Sequence, residues 1–341
     1  MVTDQVSGES QHEIRLKDRE YEAMPDVFVP APSGWRSSFV DRIEIPPHLD
    51  ALGALKGLRV LELASGDGRY TVLMAQLGAE VLALDFSFEA LRKAIRNVAE
   101  GQAPTTYRPA CAPVPGDLTA RVGLVQADAS CFRVAPRAFD RALSASPLDN
   151  RDERMKMFCA IADSLKDNGR YVAGVEHDDL YRRMFGLPVI RRYSRGGILI
   201  EHLDVPTMRR EMAPYFGQMR MRPIRAHLPF TKGLPEHIRV RAALAVNAIP
   251  VLRQLGDILL VTAERPRRLP QEGVMRPQIL GARSLLIRYK QWRGKEQTWA
   301  KDEPLWAASI QHPPARESSS IVQTEVQLSS SPIPDTSECG H

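Results

Sequence analysis

The run Val60-Leu61-Glu62-Leu63-Ala64-Ser65-Gly66-Asp67-Gly68-Arg69 constrains the fold of this chain more than any other stretch. A short apolar segment, Arg59–Leu63, enters a turn holding two glycines. A segment of helical spacing, Tyr70–Leu77, follows and stops at Gly78. The apolar run reads as a buried strand. Glycine lets the backbone fold sharply and lets a ligand come close to it. The helix after the turn begins with unpaired N–H groups that can meet that ligand. A strand, a glycine turn and a helix in this order are the architecture of a nucleotide-type site.

The same alternation continues. Glu80–Leu84 reads as a second strand ending at Asp85, and Phe88–Glu100 as a helix with Ala90, Leu91, Ala94, Ile95 and Val98 on one face, closed by Gly101. Residues 101–121 hold four prolines and read as a loop. Gly123–Ala127 leads as a third strand to Asp128, and Phe139–Ser144 is a fourth. A helix over Asp152–Leu165, closed by Asn168-Gly169, precedes a fifth strand at Arg170–Val175. Upstream, Pro46 and Pro47 punctuate a helix placed at His48–Leu55. Downstream the pattern predicts a helix over Thr207–Phe216 with its start at Asp204 or Thr207, a strand at Gln218–Pro223, partial helix within Pro229–Gly256, and a late strand at Asp257–Ala263. Short apolar strands alternating with helices predict an α/β fold, a doubly wound, mostly parallel sheet with helices on both faces.

Composition narrows the class. The chain is 43% hydrophobic and 26% charged, too apolar for a wholly disordered chain and too charged for a membrane bundle. The N-terminal residues are polar and give no secretory signal, and the four cysteines form no C-x-x-C pair, so a reducing cytoplasm is the expected compartment. The net charge of +5 is unevenly placed. Residues 1–265 hold 36 basic against 33 acidic side chains, residues 266–301 hold 9 against 2, and residues 302–341 hold 1 against 6. A body made to grip a phosphate backbone would be more basic than residues 1–265 are. The expected organisation is a polar leader and entry segment over 1–50, one domain over 51–265, a basic extension over 266–301 and a disordered tail over 302–341.

The glycine turn discriminates between nucleotides. Gly66 and Gly68 could open a dinucleotide fingerprint, but Thr71 stands where its third glycine belongs, and no P-loop G-K-[ST] triplet is present. The segment resembles motif I of the class I S-adenosylmethionine-dependent methyltransferases, an acid followed by x-G-x-G-x-G, in a Rossmann-like fold. Glu62 fills the acidic position, and Ala64, Gly66 and Gly68 fill the glycine positions, so Ala64 departs from the pattern by one methyl. Over roughly residues 55–265 the resemblance implies that S-adenosylmethionine is the cofactor, held by the turn Ala64, Ser65, Gly66, Asp67 and Gly68. It implies that Asp85 accepts from the ribose hydroxyls, that Phe86 or Ser87 lies beside the adenine, and that Asp128 meets the adenine amino group with Ala129 supplying the next N–H. Ser144, at the end of the fourth strand, completes the set.

Methyl transfer from a sulfonium is an in-line displacement, so a catalyst orients the acceptor, excludes water and removes a proton where needed. The segment Ser144-Ala145-Ser146-Pro147-Leu148-Asp149-Asn150 lacks the N-P-P-Y pattern of adenine amino-methyltransferases, and no Pro-Cys pair serves a cytosine C5 enzyme. A small-molecule acceptor, through its hydroxyl before an amine or carbon, is therefore expected, with nucleic acid disfavoured. Asp149 and His177 are the candidate bases, with Glu176 and His202 behind them. The arginines Arg182, Arg183, Arg191, Arg192 and Arg195 could meet an anionic acceptor. Residues 281–295 could lie on an anionic membrane as an amphipathic helix. The alternatives are an RNA methyltransferase that uses residues 266–301, a cofactor-binding partner protein without turnover, and, last, a nicotinamide oxidoreductase.

Overall fold

A computed structural model describes residues 16, 18–31, 37–110, 113–130, 132, 134–145, 150–192, 199–226, 231 and 233–268. Its centre is a seven-stranded sheet of order β3-β2-β1-β4-β5-β9-β8. The strands are β1 (Arg59–Leu63), β2 (Glu80–Asp85), β3 (Val122–Gln126), β4 (Phe139–Ser144), β5 (Leu165–Glu176), β8 (Phe216–Ala226) and β9 (Gly256–Pro266). Neighbours from β3 to β5 pair in parallel, whereas β9 runs antiparallel to both β5 and β8. The expected doubly wound, mostly parallel sheet is thus present, closed at one side by an antiparallel pair. A two-stranded ribbon, β6 (Ile190–Arg192) with β7 (Leu199–Glu201), lies outside it.

Alternation along the strands feeds two cores. Val60 joins a cluster with Leu49 and Leu52 of α2 (Ser38–Leu52), Val72 and Leu73 of α3 (Arg69–Gln76), and Leu91 and Val98 of α4 (Phe88–Glu100). Leu61 and Leu63 face the opposite side, with Phe158 and Ile161 of α5 (Arg151–Ser164) and Met208 and Met212 of α7 (Val205–Met212). Side chains of period two facing two layers of helices are what a central parallel strand requires. A buried ion-pair cluster crosses the second layer. Arg154, 1% exposed, donates twice to Glu211 (2.8 and 3.0 Å) and once to Glu201 (2.9 Å).

Two expectations need correction. The helix placed at His48–Leu55 begins ten residues earlier and runs through Pro46 and Pro47. Ser37 caps it through its Oγ, and Phe39, Val40, Ile43, Ile45, Leu49 and Leu52 are buried along it. A proline inside a helix costs about 3 kcal/mol, while each fully buried aliphatic side chain returns roughly 1.5–3 kcal/mol, so packing overrides the breaker. The second concerns α5, which ends at Ser164. Asn168-Gly169 lies within β5, where the pairing with β4 shifts register between Phe139 and Arg141. The remaining elements fall close to their expected places, including α4 with Gly101 in the left-handed region and α7 capped by Asp204. Two further helices, α6 (Leu180–Met184) and α8 (Glu236–Ala248), occupy the connections after β5 and between β8 and β9. Among the described residues no helix is long and apolar enough to cross a membrane. Residues 269–341, including the 281–295 stretch, lie outside the described residues.

Candidate functional site

The turn after β1 places three left-handed residues at alternate positions, Ala64 (φ 54°), Gly66 (φ 56°) and Gly68 (φ 85°). Two are glycine, which takes this conformation without a Cβ penalty. Ala64 takes it at a cost, so the departure from the glycine pattern leaves the shape of the turn unchanged. At Gly68 a Cβ would stand 3.1 Å from the Cβ of Ala94, so the missing side chain also lets α4 pack against the turn. From the same helix, Asn97 Nδ2 donates to the carbonyl of Asp67 (2.8 Å).

The turn is tied to the end of β2. Ser65 N donates to the Leu84 carbonyl (3.0 Å), and Gly66 N donates to Asp85 Oδ2 (2.7 Å). The other oxygen, Asp85 Oδ1, accepts from Ser87 N (2.9 Å). Ser87 in turn caps α4, its Oγ accepting from Ala90 N (3.1 Å). Both oxygens of Asp85 thus tie the turn to the start of α4, at the end of β2. Along the edge, Gln126 Nε2 donates to the Phe86 carbonyl (2.9 Å), and Asp128 Oδ1 accepts from Ser130 N (2.7 Å), with Ala129 buried beside it.

Beneath the turn, Glu62 is 2% exposed and accepts from Thr71 Oγ1 at 2.5 Å. Burial pushes its carboxyl up to about 8, the Thr71 bond opposing and the neighbouring charges of Asp85 and Asp67 adding. The buried atoms Ser65 Oγ and Gln126 Oε1, one in the turn and one at the end of β3, have no partner among the described residues. A buried polar atom without a partner is costly. Unpartnered buried atoms in the turn and at the end of β3, with a carboxylate between them at the end of β2, fit a nucleoside ligand. Ser144, at the end of β4, is fully buried. Asp149 lies outside the described residues.

His177 follows β5 and is 2% exposed. Its ring Nδ1 lies 2.8 Å from the Gly256 carbonyl. A carbonyl only accepts, so Nδ1 carries the proton and Nε2 is left as the basic nitrogen. Burial lowers the affinity of the ring for a second proton, partly offset by the Gly256 bond. His202 is held similarly, Nδ1 against the Val189 carbonyl at 3.1 Å.

Sequence reading missed the charged layer between these positions. Arg225, in the left-handed region (φ 60°), pairs with Glu44 (2.8 Å), Asp257 (2.7 Å) and Glu176 (3.6 Å). Arg69 joins Asp41 (3.3 Å) and Glu44 (3.6 Å). Burial opposes ionisation of Glu44, but Arg225, then Arg69 and His48, outweigh it and hold its carboxyl below the usual range. The layer links α2, α3, β5, β8 and β9 at the strand ends, and no local pattern announces it, because its members lie up to 216 residues apart, from Asp41 to Asp257. Asp18 and Tyr21, assigned to a polar leader, also reach this end of the sheet, on Ser87 and Gly66.

A family model described as "Methyltransferase domain" matches residues 61–173, from β1 through β5. Curated proteins give no match. Among solved structures the chain is similar to an S-adenosylmethionine-dependent methyltransferase from Mesorhizobium loti, at 19% identity, with 66% of this chain and 97% of that one covered and a TM-score of 0.44. Another is a methyltransferase from Methanosarcina mazei, at 13% identity, covering 66% and 97%, with a TM-score of 0.44. A third is the 1,6-didemethyltoxoflavin-N1-methyltransferase of Burkholderia thailandensis, at 16% identity, covering 75% and 89%, with a TM-score of 0.45.

Proposed function

We propose, from the match of residues 61–173 to a methyltransferase-domain model, that the chain is a class I S-adenosylmethionine-dependent methyltransferase that methylates a hydroxyl of a small-molecule acceptor. The observation that carries the reading is the joining of Asp85 to Gly66 and Ser87, which makes one carboxylate both the brace of the turn and an acceptor for ribose hydroxyls. In this reading the turn Ala64–Gly68 receives the methionine end, and Phe86, Ser87, Asp128 and Ala129 flank the adenine. Glu62 supports the turn from below, and Ser144 lines its far side. S-adenosylmethionine supplies an electrophilic methyl group on a sulfonium.

The residues of this chain supply the rest. His177 Nε2, basic and kept neutral by burial, takes the proton of the acceptor hydroxyl. Asp149 remains the second candidate base. The Asp41–Arg69–Glu44–Arg225 layer holds α2 against the strand ends and excludes water from that side. The near balance of charge over residues 1–265 supports a small acceptor over a nucleic acid. The domain is taken to extend over 51–265.

An extract fractionated by size and incubated with methyl-labelled cofactor tests this reading. Label is expected in a low-mass product whose methyl group is stable to the mild base that cleaves esters. Label confined to RNA, or no transfer to any fraction, would overturn it.

A further inference from the structure

The segment read from sequence as a polar leader crosses the cofactor turn. Residues 18–22 form a short helix, α1. Asp18 Oδ1 accepts from Ser87 Oγ (2.5 Å) and from Glu89 N (3.4 Å), so its carboxylate sits on the first turn of α4, two residues past Asp85. Tyr21 places its hydroxyl 2.5 Å from the position a Cβ would take on Gly66. The approach to the second motif glycine, which the absence of a side chain keeps open, is thus covered by a tyrosine from elsewhere in the chain.

The segment then runs along α4 and is pinned there. Lys93, 3% exposed, donates through Nζ to the carbonyls of Met24 (2.5 Å) and Pro25 (3.3 Å). Asp26 pairs with Arg96 (3.0 Å), Arg92 (3.4 Å) and Lys93 (3.8 Å), three cations on one helix face. The Arg96 bond, with the charges of all three, holds the Asp26 carboxyl below its ordinary range. Asp26 is half exposed, and ion pairs in such a setting are individually weak. Weak pairs at one end and a tyrosine over the turn at the other describe a part that can lift.

We propose that residues 18–31 are a strap over the cofactor site, in which Asp18 and Tyr21 line the site, Asp26 and Lys93 latch the strap to α4, and cofactor exchange requires it to open. This rests on the methyltransferase reading above and goes beyond it, because no motif assigns these residues. It also explains why a polar N-terminal stretch is held by buried groups. The strap meets the turn through Tyr21 and the start of α4 through Asp18, so it spans the methionine and adenine ends and leaves the His177 side to the acceptor.

Stopped-flow binding of S-adenosylhomocysteine to the full chain, wild type, Asp26→Ala and Tyr21→Ala, tests the strap. Asp26→Ala is expected to raise both association and dissociation rates about threefold to fivefold, the scale of lost exposed ion pairs. Tyr21→Ala is expected to raise dissociation further. Amide exchange over residues 18–31 should rise in Asp26→Ala without ligand, a readout independent of binding. Binding by wild type with rates and exchange unchanged in both variants overturns the strap and leaves the methyltransferase reading intact. No binding by any of the three proteins overturns that reading, and the strap with it.

Discussion

Thr71 Oγ1 donates to Glu62 Oε2 at 2.5 Å across the junction of β1 and α3, in a layer closed to water. The carboxyl there is pushed up to about 8, above its unfolded value of 4.5. Between those values the folded protein binds the extra proton. Stability from this group is therefore complete below about pH 4.5 and is lost as pH rises through about 8. Urea midpoints measured from pH 6 to 9 should fall in the wild type and fall less in Glu62→Gln, which keeps the Thr71 contact and cannot ionise. Equal slopes in the two proteins would contradict the assignment.

Ala64 stands at φ 54° where the family pattern has glycine. A left-handed alanine costs about 1–2 kcal/mol, and glycine gives back roughly 0.4–1 kcal/mol of that through the unfolded chain. Ala64→Gly should raise stability by about 0.5 kcal/mol, a shift of a degree or two in Tm, with cofactor binding retained. Ala64→Val should lower both. A lower Tm in Ala64→Gly would show that the methyl makes contacts that outweigh its strain.

His177 is neutral through ordinary pH because burial depresses its affinity for a proton. A depressed value in the folded state means that stability from this group is lost as pH falls below the ordinary histidine range. If Nε2 takes the acceptor proton, the rate of methyl transfer should hold constant down to below pH 6.5 and then decline. His177→Gln should lower kcat about 10²–10⁴-fold with KM for the cofactor unchanged. A full rate in that variant would move the base to another residue.

Arg154 belongs to α5, in the helix layer opposite α3 and α4, and carries stability through its pair with Glu211. Arg154→Met would leave Glu211, 3% exposed, with the exposed Arg151 (3.4 Å) as its counter-charge, at a cost of up to about 3–5 kcal/mol. Pairing Arg154→Met with Glu211→Leu should recover most of that loss, which chemical denaturation of the two variants would show.

How far the sequence foretold this structure depends on range. The turn Ala64–Gly68, the end of β2 at Asp85 and the closing of α4 by Gly101 are local, set by residues within a few positions, and they stand where the pattern placed them. The antiparallel course of β9 was not legible, since strand direction depends on the connection from β8 and not on Asp257–Ala263 itself. Pro46 and Pro47 misled because their local penalty is visible and the burial that offsets it is not. Arg225, Glu44 and Asp18 gave no signal, because each becomes a site residue only through partners far away in sequence.

The central claim is that Asp85 both braces Gly66 and accepts from the cofactor ribose. Calorimetric titration with S-adenosylhomocysteine tests it most directly. Charge-assisted hydrogen bonds contribute about 1.5–3 kcal/mol, so Asp85→Ala should weaken binding at least roughly tenfold to a hundredfold relative to a wild type that binds, while Asp128→Ala should weaken it less. Equal affinity in wild type and Asp85→Ala, or no binding by the wild type, would contradict it.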